Sequence, residues 1–187
     1  MEISGFERAI MSKNIWAAVN VSPVQLKCPT LALKIPSALA ASGLAANRLE
    51  LEITEAVLIR DDETALAILH QLRAIGIRIA LDDFGTGYSS LSYLKRFPFD
   101  KIKIDRCFVS DIAEIDGSSV IVQAVVNIAA AGNMTTTAEG VETLAQKEML
   151  RALGCTEMQG YLFSAAKPGA EVRRLFGPRG QMTAAVA

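Results

Sequence analysis

The chain has 187 residues, of which 51% are hydrophobic and 21% charged, and its formal net charge is −1. This length suits one well-buried domain, and this balance is typical of a globular protein rather than a disordered one. Because Lys and Arg form no cluster, we expect no binding to duplex nucleic acid.

The apolar residues and the cysteines both indicate a cytoplasmic protein. No uninterrupted apolar run is long enough to cross a membrane, and the charged N-terminal residues do not resemble a signal peptide. Cys28, Cys107 and Cys155 lie far apart and lack the spacing of zinc ligands, so we expect reduced thiols. We expect Cys107 to be a packing residue and Trp16 to lie in the core.

Strand and helix patterns alternate along the chain. Period-two apolar runs predict six strands, over residues 16–21, 48–54, 77–83, 100–105, 134–139 and 155–161. Apolar residues at helical spacing predict helices over 63–75, 120–131 and 144–153, the first with a buried stripe that includes Ile75. Gly43, Gly76, Gly132 and Gly154 each follow a helical stretch, where we expect a left-handed C-cap.

This alternation predicts an α/β fold with a mostly parallel sheet, either doubly wound or closed as a (β/α)8 barrel. Six strands are two fewer than a closed barrel of this type requires. Residues 1–14 are interpreted as the end of a helix. We expect the domain to occupy residues 1–176, and residues 177–187 to form a mobile tail because they lose all periodicity.

Polar side chains follow the predicted strands at their C-terminal ends, where α/β proteins place their active sites. A single one of these residues could equally be an exposed strand-end carboxylate or a helix N-cap. Together, their amide and carboxylate oxygens suit a hard divalent cation such as Mg²⁺ or Mn²⁺. These residues are Asn20, Glu52, Asp82, Asp83 and Asp105, with Lys103 among them.

Several short motifs together resemble one known family. Residues 82–91, with the sequence DDFGTGYSSL, are similar to the signature loop of the EAL-domain cyclic-di-GMP phosphodiesterases. The supporting motifs occur in the order typical of the family, and the resemblance covers residues 10–176. These motifs are Val19-Asn20-Val21-Ser22, Glu52-Ile53-Thr54-Glu55, Lys103-Ile104-Asp105 with Phe108-Val109, Ala138-Glu139-Gly140-Val141-Glu142, and Gln159-Gly160-Tyr161.

The resemblance implies a (β/α)8 barrel that uses two metal ions, Mg²⁺ or Mn²⁺, to hydrolyse one 3′–5′ phosphodiester of cyclic di-GMP, giving linear pGpG. It implies catalytic roles for Lys103, Asp83 and Glu139, and substrate binding by Gln159. It implies that Glu55 anchors the loop after Asp83. The other positions that it implies are the supporting, loop-anchoring residue Glu142 and the metal ligands Asn20, Glu52, Asp82, Asp83, Asp105 and Glu139.

The resemblance also implies a segment that has no match in this chain. Family members carry two strands and a helix before the Asn20 strand, and the second strand supplies a metal-binding glutamate in the sequence Glu-Ala-Leu. Residues 55–58 read Glu-Ala-Val-Leu, but they follow the Glu52 strand and belong to a later motif. We therefore expect about six of eight strands, impaired metal binding and poor hydrolysis. Unpaired sheet edges would also favour a homodimer or a domain-swapped oligomer.

Two other functions fit part of the pattern. A non-catalytic module could bind cyclic di-GMP or a partner protein, although such a module has no evident need for every metal ligand. Lys103 could alternatively form a Schiff base in an aldolase-like barrel. The carboxylates around it disfavour that reading, because nearby anions keep a lysine protonated.

Overall fold

The computed structural model describes residues 16–55, 63–85, 94, 96–112 and 117–176. In these residues six parallel strands form one sheet in chain order. They fall where the sequence predicts strands, although the sixth has only two residues. The strands are β1 Ala17–Asn20, β2 Leu49–Thr54, β3 Arg78–Phe84, β4 Lys101–Ile104, β5 Thr135–Ala138 and β6 Glu157–Met158.

Helices occupy the connections between the strands. The three predicted helices are confirmed, each within one or two residues at its ends, and no described helix is long and apolar enough to cross a membrane. The helices are α1 Pro23–Leu26, α2 Leu31–Ser42, α3 Glu63–Ala74, α4 Arg106–Val109, α5 Ser118–Ala131, α6 Leu144–Ala152 and α7 Gly169–Phe176. A one-turn 3₁₀ helix, Ala46–Arg48, leads into β2.

The sheet curls into part of a barrel. Its strand order is the chain order, which is the order of a (β/α)8 barrel, with β1 and β6 at the two edges of the described sheet. Lys101 on β4 contacts Glu50 on β2 and Glu157 on β6, so side chains from strands far apart in the sheet meet on its concave face. The fold is therefore α/β and of the barrel type, with six strands of the ring described.

The hydrophobic core lies between the convex face of this sheet and the helices. Aliphatic residues alternate along the strands with the polar ones that face the barrel interior, as a period of two requires. The fully buried members are mostly Ile and Leu from strands and helices. They include Ile53, Ile79, Leu81, Ile102 and Ile104 of the sheet, and Leu69, Leu72 and Leu150 of the helices.

Three of the four predicted C-cap glycines have left-handed φ angles. The angles are 69° at Gly43, 96° at Gly76 and 87° at Gly154. The prediction for Gly132 was wrong: its φ is −91°, and Asn133 takes the left-handed angle of 55° instead. Asn is the next most tolerant residue in that region, so the chain turns one residue later than expected.

Three apolar residues are more exposed than the sequence predicted. Trp16 is 48% exposed because it precedes the edge strand, and the Arg78 guanidinium lies 4.7 Å from the centre of its ring. Ile75 is 45% exposed because α3 ends at Ala74. Cys107 is also exposed, since it lies on the first turn after β4. Three sequence predictions lie outside the described residues. They are the helix end at 1–14, the part of the signature loop at 86–91 and the tail at 177–187.

Candidate functional site

Parallel pairing brings the predicted polar residues to one end of the sheet. In the strand register Asn20 lies opposite Glu52, and Thr54 lies opposite Asp82. Glu139 directly follows β5, and Gln159 directly follows β6. The C-terminal mouth of the partial barrel therefore carries a polar side chain at or just beyond most of its strands.

Asp82 and Asp83 reach this mouth because β3 is irregular. A regular strand would turn neighbouring side chains to opposite faces. Here the register with β4 shifts between Leu81 and Phe84, and Asp83 has a left-handed φ of 55°. This bulge lets both carboxylates approach Glu139, so that one oxygen from each of the three residues lies within 4.8 Å of the others.

Lys103 lies at the centre of the acidic residues. Its Nζ is 3.0 Å from Glu52 Oε1, 2.8 Å from Asp82 Oδ1 and 2.6 Å from Glu139 Oε1. The Lys103 side chain is only 7% exposed, so these contacts are poorly screened by solvent. One ammonium group thus partly neutralises three carboxylates supplied by three different strands or strand ends.

The charges at the mouth shift each other's pKa values. Burial alone lowers the pKa of Lys103, but its contacts with Asp82 and Glu139 outweigh burial and raise the pKa. Burial raises the pKa of Glu139, and the ammonium of Lys103 opposes that rise. Burial and the negative charges of Asp82 and Asp105 raise the pKa of Asp83. The raised pKa values of Glu139 and Asp83 therefore reflect burial first and the charges around them second.

The donor set of this cluster fits a divalent metal ion. Asp82, Asp83 and Glu139 each offer a carboxylate oxygen, which is the ligand that Mg²⁺ and Mn²⁺ prefer. Asp82 Oδ1 is buried, and the Lys103 ammonium at 2.8 Å is the cation that faces it among the described residues, so a metal ion would replace or share that contact. A divalent cation would also relieve the repulsion that raises the pKa of Asp83.

The other three predicted metal ligands lie around this cluster rather than within it. Glu52 is tied to it through Lys103, and Asn20 is exposed at the neighbouring position on β1. Asp105 caps the first turn after β4, where its Oδ1 accepts a hydrogen bond from the Cys107 backbone N–H at 2.9 Å. Burial tends to raise the pKa of Asp105, but these hydrogen bonds lower it overall.

Glu55 lies beneath the start of the loop that follows Asp83. Its Oε1 accepts a hydrogen bond from the Gly85 backbone N–H at 2.9 Å, and Glu55 is buried. Gly85 has a φ of 97°, and a Cβ on it would lie 2.8 Å from the Phe108 ring. The hydrogen bond fixes the backbone two residues after the acidic pair, so Glu55 holds the base of this loop, and the nearby Phe108 ring leaves room there for glycine alone.

A cavity of about 660 Å³ opens beside the acidic cluster. Gln159 lies in its wall and donates a hydrogen bond from Nε2 to Glu139 Oε1 at 2.7 Å. Glu142 also lines the cavity, and its backbone N–H donates to Gln146 Oε1. Sequence reasoning missed Arg106, which adds a cation to this wall. Its place directly after Asp105 was the available signal.

Comparison with known proteins identifies relatives across most of the chain. Residues 4–166 match the family described as EAL domain. The bifunctional diguanylate cyclase/cyclic di-GMP phosphodiesterase MucR of Pseudomonas aeruginosa is 43% identical over 155 residues, which is 83% of this chain and 23% of MucR. The chain spans about a fifth of the length of the first curated relatives that it matches, 20% in two cases.

Two solved structures are similar in both fold and sequence. A cyclic-di-GMP complex of the MucR phosphodiesterase superposes with a TM-score of 0.78 at 43% identity, covering 83% of this chain and 63% of that one. A manganese and cyclic-di-GMP complex of Klebsiella pneumoniae BlrP1 gives a TM-score of 0.78 at 36% identity, covering 84% of this chain and 40% of that one.

Proposed function

The chain belongs to the EAL domain family, and from that premise we propose that its acidic cluster is the metal-dependent centre of a cyclic-di-GMP phosphodiesterase. The observation that carries the proposal is the convergence of Asp82, Asp83 and Glu139 around Lys103 at the C-terminal mouth. Relatives that match this chain include a cyclic di-GMP phosphodiesterase, and similar structures contain cyclic di-GMP. The substrate we propose is therefore cyclic di-GMP, and the product is linear pGpG.

Each residue of the site has a proposed part in the hydrolysis. Water attacks phosphorus while the bond from phosphorus to the ribose 3′ oxygen breaks, and the departing 3′ oxygen takes up a proton from solvent to become a hydroxyl. Glu139, whose pKa is raised by burial, takes up a proton from the water. The ammonium of Lys103 stays protonated among its carboxylates and offsets the negative charge that develops on the phosphoryl oxygens. Gln159 fixes Glu139 through the hydrogen bond between them.

Metal ions would be held by Asp82, Asp83 and Glu139, with Asn20, Glu52 and Asp105 as the surrounding ligands that we propose. When bound, divalent metals lower the pKa of a water and neutralise charge on the phosphate. We propose Mn²⁺ or Mg²⁺, since all the donors are oxygens. The manganese complex of BlrP1 supports this choice.

The test is hydrolysis of cyclic di-GMP, followed by chromatography of pGpG, with Mn²⁺ or with EDTA. We expect slow, Mn²⁺-dependent product formation by the wild-type chain, and a further large loss with Asp83→Asn or Glu139→Gln. The exposed Lys167→Met is the matched control, and its rate should equal that of the wild type. Tight nucleotide binding without turnover in Mn²⁺ would favour a non-catalytic binding module instead.

The rate should depend on the N-terminal strand that the resemblance implies. The resemblance implies one further metal ligand, the glutamate of a Glu-Ala-Leu sequence on a strand that would precede Asn20. We propose that a chain extended at its N-terminus by about sixty residues, the length of two βα units, binds Mn²⁺ more tightly and turns over faster. Equal rates for the two chains would contradict this part of the proposal.

The edges of the described sheet suggest self-association. β1 and β6 each have one partner strand among the described residues. Trp16 precedes β1 and is 48% exposed, while Tyr161 and Phe163 follow β6 and are 73% and 51% exposed. We propose a homodimer through such an edge, because unpaired strands with nearby apolar side chains tend to pair. Sedimentation that shows only monomer at all concentrations would contradict it.

We place this protein in the cytoplasm. The proposed substrate is an intracellular signalling nucleotide. Cys28, Cys107 and Cys155 are all free thiols in the structure, and free thiols persist in a reducing compartment. Fractionation of cells that express the natural protein tests this location.

A further inference from the structure

A second charged network lies inside the barrel, away from the acidic cluster. Lys101 Nζ is 3.0 Å from Glu50 Oε1 and 2.6 Å from Glu157 Oε2. The side chains of Lys101 and Glu50 are only 9% and 7% exposed, whereas that of Glu157 is 44% exposed. One lysine on the central strand β4 thus joins β2 to β6 across the concave face.

Neighbouring side chains hold both carboxylates of this network in place. Thr137 Oγ1 donates a hydrogen bond to Glu157 Oε2 at 3.1 Å. Arg78 Nε lies 3.7 Å from Glu50 Oε2. Burial tends to raise the pKa of Glu157, but its contact with Lys101 outweighs burial and lowers the pKa, so the carboxylate stays ionised. The network is therefore a set of paired charges.

Each member of the network has a site residue two positions further along the chain. Glu50 precedes Glu52 on β2, Lys101 precedes Lys103 on β4, and Glu157 on β6 precedes Gln159. Two residues of strand separate such pairs by about 7 Å and place them on the same face. Alternate strands of a barrel supply the side chains of one interior layer, so β2, β4 and β6 build the network as a layer below the mouth.

Stability alone does not explain a charged layer at this depth. Replacing buried ion pairs with apolar residues of similar volume is often neutral or stabilising, so ion pairs are weak evidence for a stabilising role. The interior of a barrel of this type is ordinarily filled by branched aliphatic side chains. What a Lys101 bridge adds is a fixed distance between β2, β4 and β6.

We propose that Lys101, together with Glu50 and Glu157, is a positioning residue, which sets the curvature of the sheet and thereby the spacing of the metal-binding carboxylates. This inference rests on the proposed phosphodiesterase function, because the spacing matters only if the cluster binds metal. Within the described part of the chain, the ion pairs of Lys101 are with Glu50 and Glu157, and Lys101 does not line the cavity beside the cluster. It acts through Lys103, Glu52 and Gln159 at the next level of the barrel.

The test compares Mn²⁺ affinity with thermal stability in matched variants. Lys101→Met removes the bridge but leaves both carboxylates. The triple variant Glu50→Gln, Lys101→Met, Glu157→Gln also removes the charges and keeps the shapes. Mn²⁺ dissociation constants are measured by titration calorimetry without nucleotide, and Tm is measured in EDTA. Lys167→Met is the control at an exposed ion pair.

We expect Lys101→Met to lower Tm and to weaken Mn²⁺ binding by about 10- to 100-fold, the usual cost of losing a supporting partner of a metal site. The triple variant should recover a Tm within about 3 °C of the wild type, because the network then holds no charge and Arg78, which loses Glu50, is 24% exposed to solvent. Its Mn²⁺ affinity should stay weak, because the bridge is still absent. A purely structural role predicts that affinity recovers together with Tm.

A triple variant that binds Mn²⁺ within about threefold of the wild type overturns the inference. If the triple variant does not fold, the Mn²⁺ affinity of the single variant Glu157→Gln tests the inference instead. The Glu157 side chain is 44% exposed, so we expect this variant to fold. An approximately tenfold weaker Mn²⁺ affinity supports the bridge, and an unchanged affinity overturns it.

Failure of the proposed function gives a different result. The phosphodiesterase proposal is refuted if the wild-type chain binds Mn²⁺ but hydrolyses no cyclic di-GMP, with or without the N-terminal extension. In that case the Mn²⁺ affinities of the variants still test the bridge. Only the bridge is refuted if the wild-type chain hydrolyses cyclic di-GMP and the triple variant has the same Mn²⁺ affinity and the same rate.

Discussion

Replacing Lys103 with Met tests whether this ammonium is the counter-ion that holds the acidic cluster together. Met preserves most of the side-chain length and volume but removes the charge. In the variant Glu52, Asp82 and Glu139 would remain close together and largely buried, without the cation that lies 2.6–3.0 Å from each of them.

The expected cost follows from burial. The exposed fractions are 7% for the Lys103 side chain, 11% for Glu52, 12% for Asp82 and 19% for Glu139. Removing one partner of a buried ion pair costs about 3–5 kcal/mol, because it leaves an uncompensated charge in a poorly solvated site. Protonation of one carboxylate limits that cost, so we expect a loss of about 3 kcal/mol rather than the sum over three pairs.

The assay is urea unfolding in EDTA and in saturating Mn²⁺. In EDTA, Lys103→Met should lower the free energy of unfolding by about 3 kcal/mol. Mn²⁺ should then stabilise the variant more than the wild type, because the metal no longer competes with an ammonium for the same oxygens. Each tenfold gain in affinity adds about 1.4 kcal/mol at saturation. Hydrolysis should still fall by about 10²- to 10³-fold, because the variant lacks the charge that we propose to offset the phosphate.

Lys167→Met provides the control. Lys167 pairs with Glu171 on the surface at 3.5 Å, and its side chain is 41% exposed. Its replacement should cost less than about 0.5 kcal/mol and leave the effect of Mn²⁺ unchanged. The reasoning is refuted if Lys103→Met unfolds like the wild type in EDTA, or if Mn²⁺ stabilises both proteins equally.

Three further predictions concern the loop base, the metal ligands and the interior network. Glu55→Ala removes the acceptor of the Gly85 N–H, so we expect the free energy of unfolding in urea to fall by about 1–3 kcal/mol and Mn²⁺ binding to weaken. An unchanged Mn²⁺ affinity would contradict the second expectation and show that the loop base does not position the metal ligands. Asp83→Asn removes a carboxylate from the cluster, so calorimetry should show an Mn²⁺ affinity reduced by about tenfold or more. In EDTA the Tm of this variant should rise, because a buried negative charge is removed and repulsion within the cluster falls. The pKa of Glu157 is lowered in the folded chain because its contact with Lys101 outweighs the effect of burial, so its stabilising contribution is present above its ordinary pKa of 4.5 and is lost as pH falls through the lowered value. The difference in Tm between the wild type and Glu157→Gln should therefore shrink below about pH 4.5. A difference that stays constant with pH would contradict the ion pair.

The strands were predictable because their residues obey a period of two under strong burial. Ile79 and Leu81 on β3, like Ile102 and Ile104 on β4, are fully buried on one face, so the sequence pattern reports the fold directly. β6 was overestimated, with two residues of the seven predicted. It is an edge strand with one partner among the described residues, so apolar alternation was a poor guide to its length.

The geometry of Asp82 and Asp83 was beyond the sequence pattern. Adjacent residues on a strand should diverge, and only the bulge between Leu81 and Phe84 brings the two carboxylates to the same side. That bulge depends on pairing with β4 and on contacts of the following loop base, both of which are distant in sequence. Asp105 caps a helical turn, which is one of the two roles that the sequence left open for it, and after burial and Asp82 its charge also contributes to the raised pKa of Asp83.

Lys101 could have been found from the same period that predicted Lys103. The argument that Lys103 faces the barrel interior applies equally two residues earlier, just as the argument for Glu52 applies to Glu50. What the pattern lacks is the pairing, because Glu157 is 56 residues from Lys101 and meets it only when the sheet curls. Charged residues in consecutive interior layers therefore indicate curvature as well as chemistry: a flat sheet would leave Lys101 and Glu157 apart and unpaired, so their contact is a direct sign that the described sheet is curved.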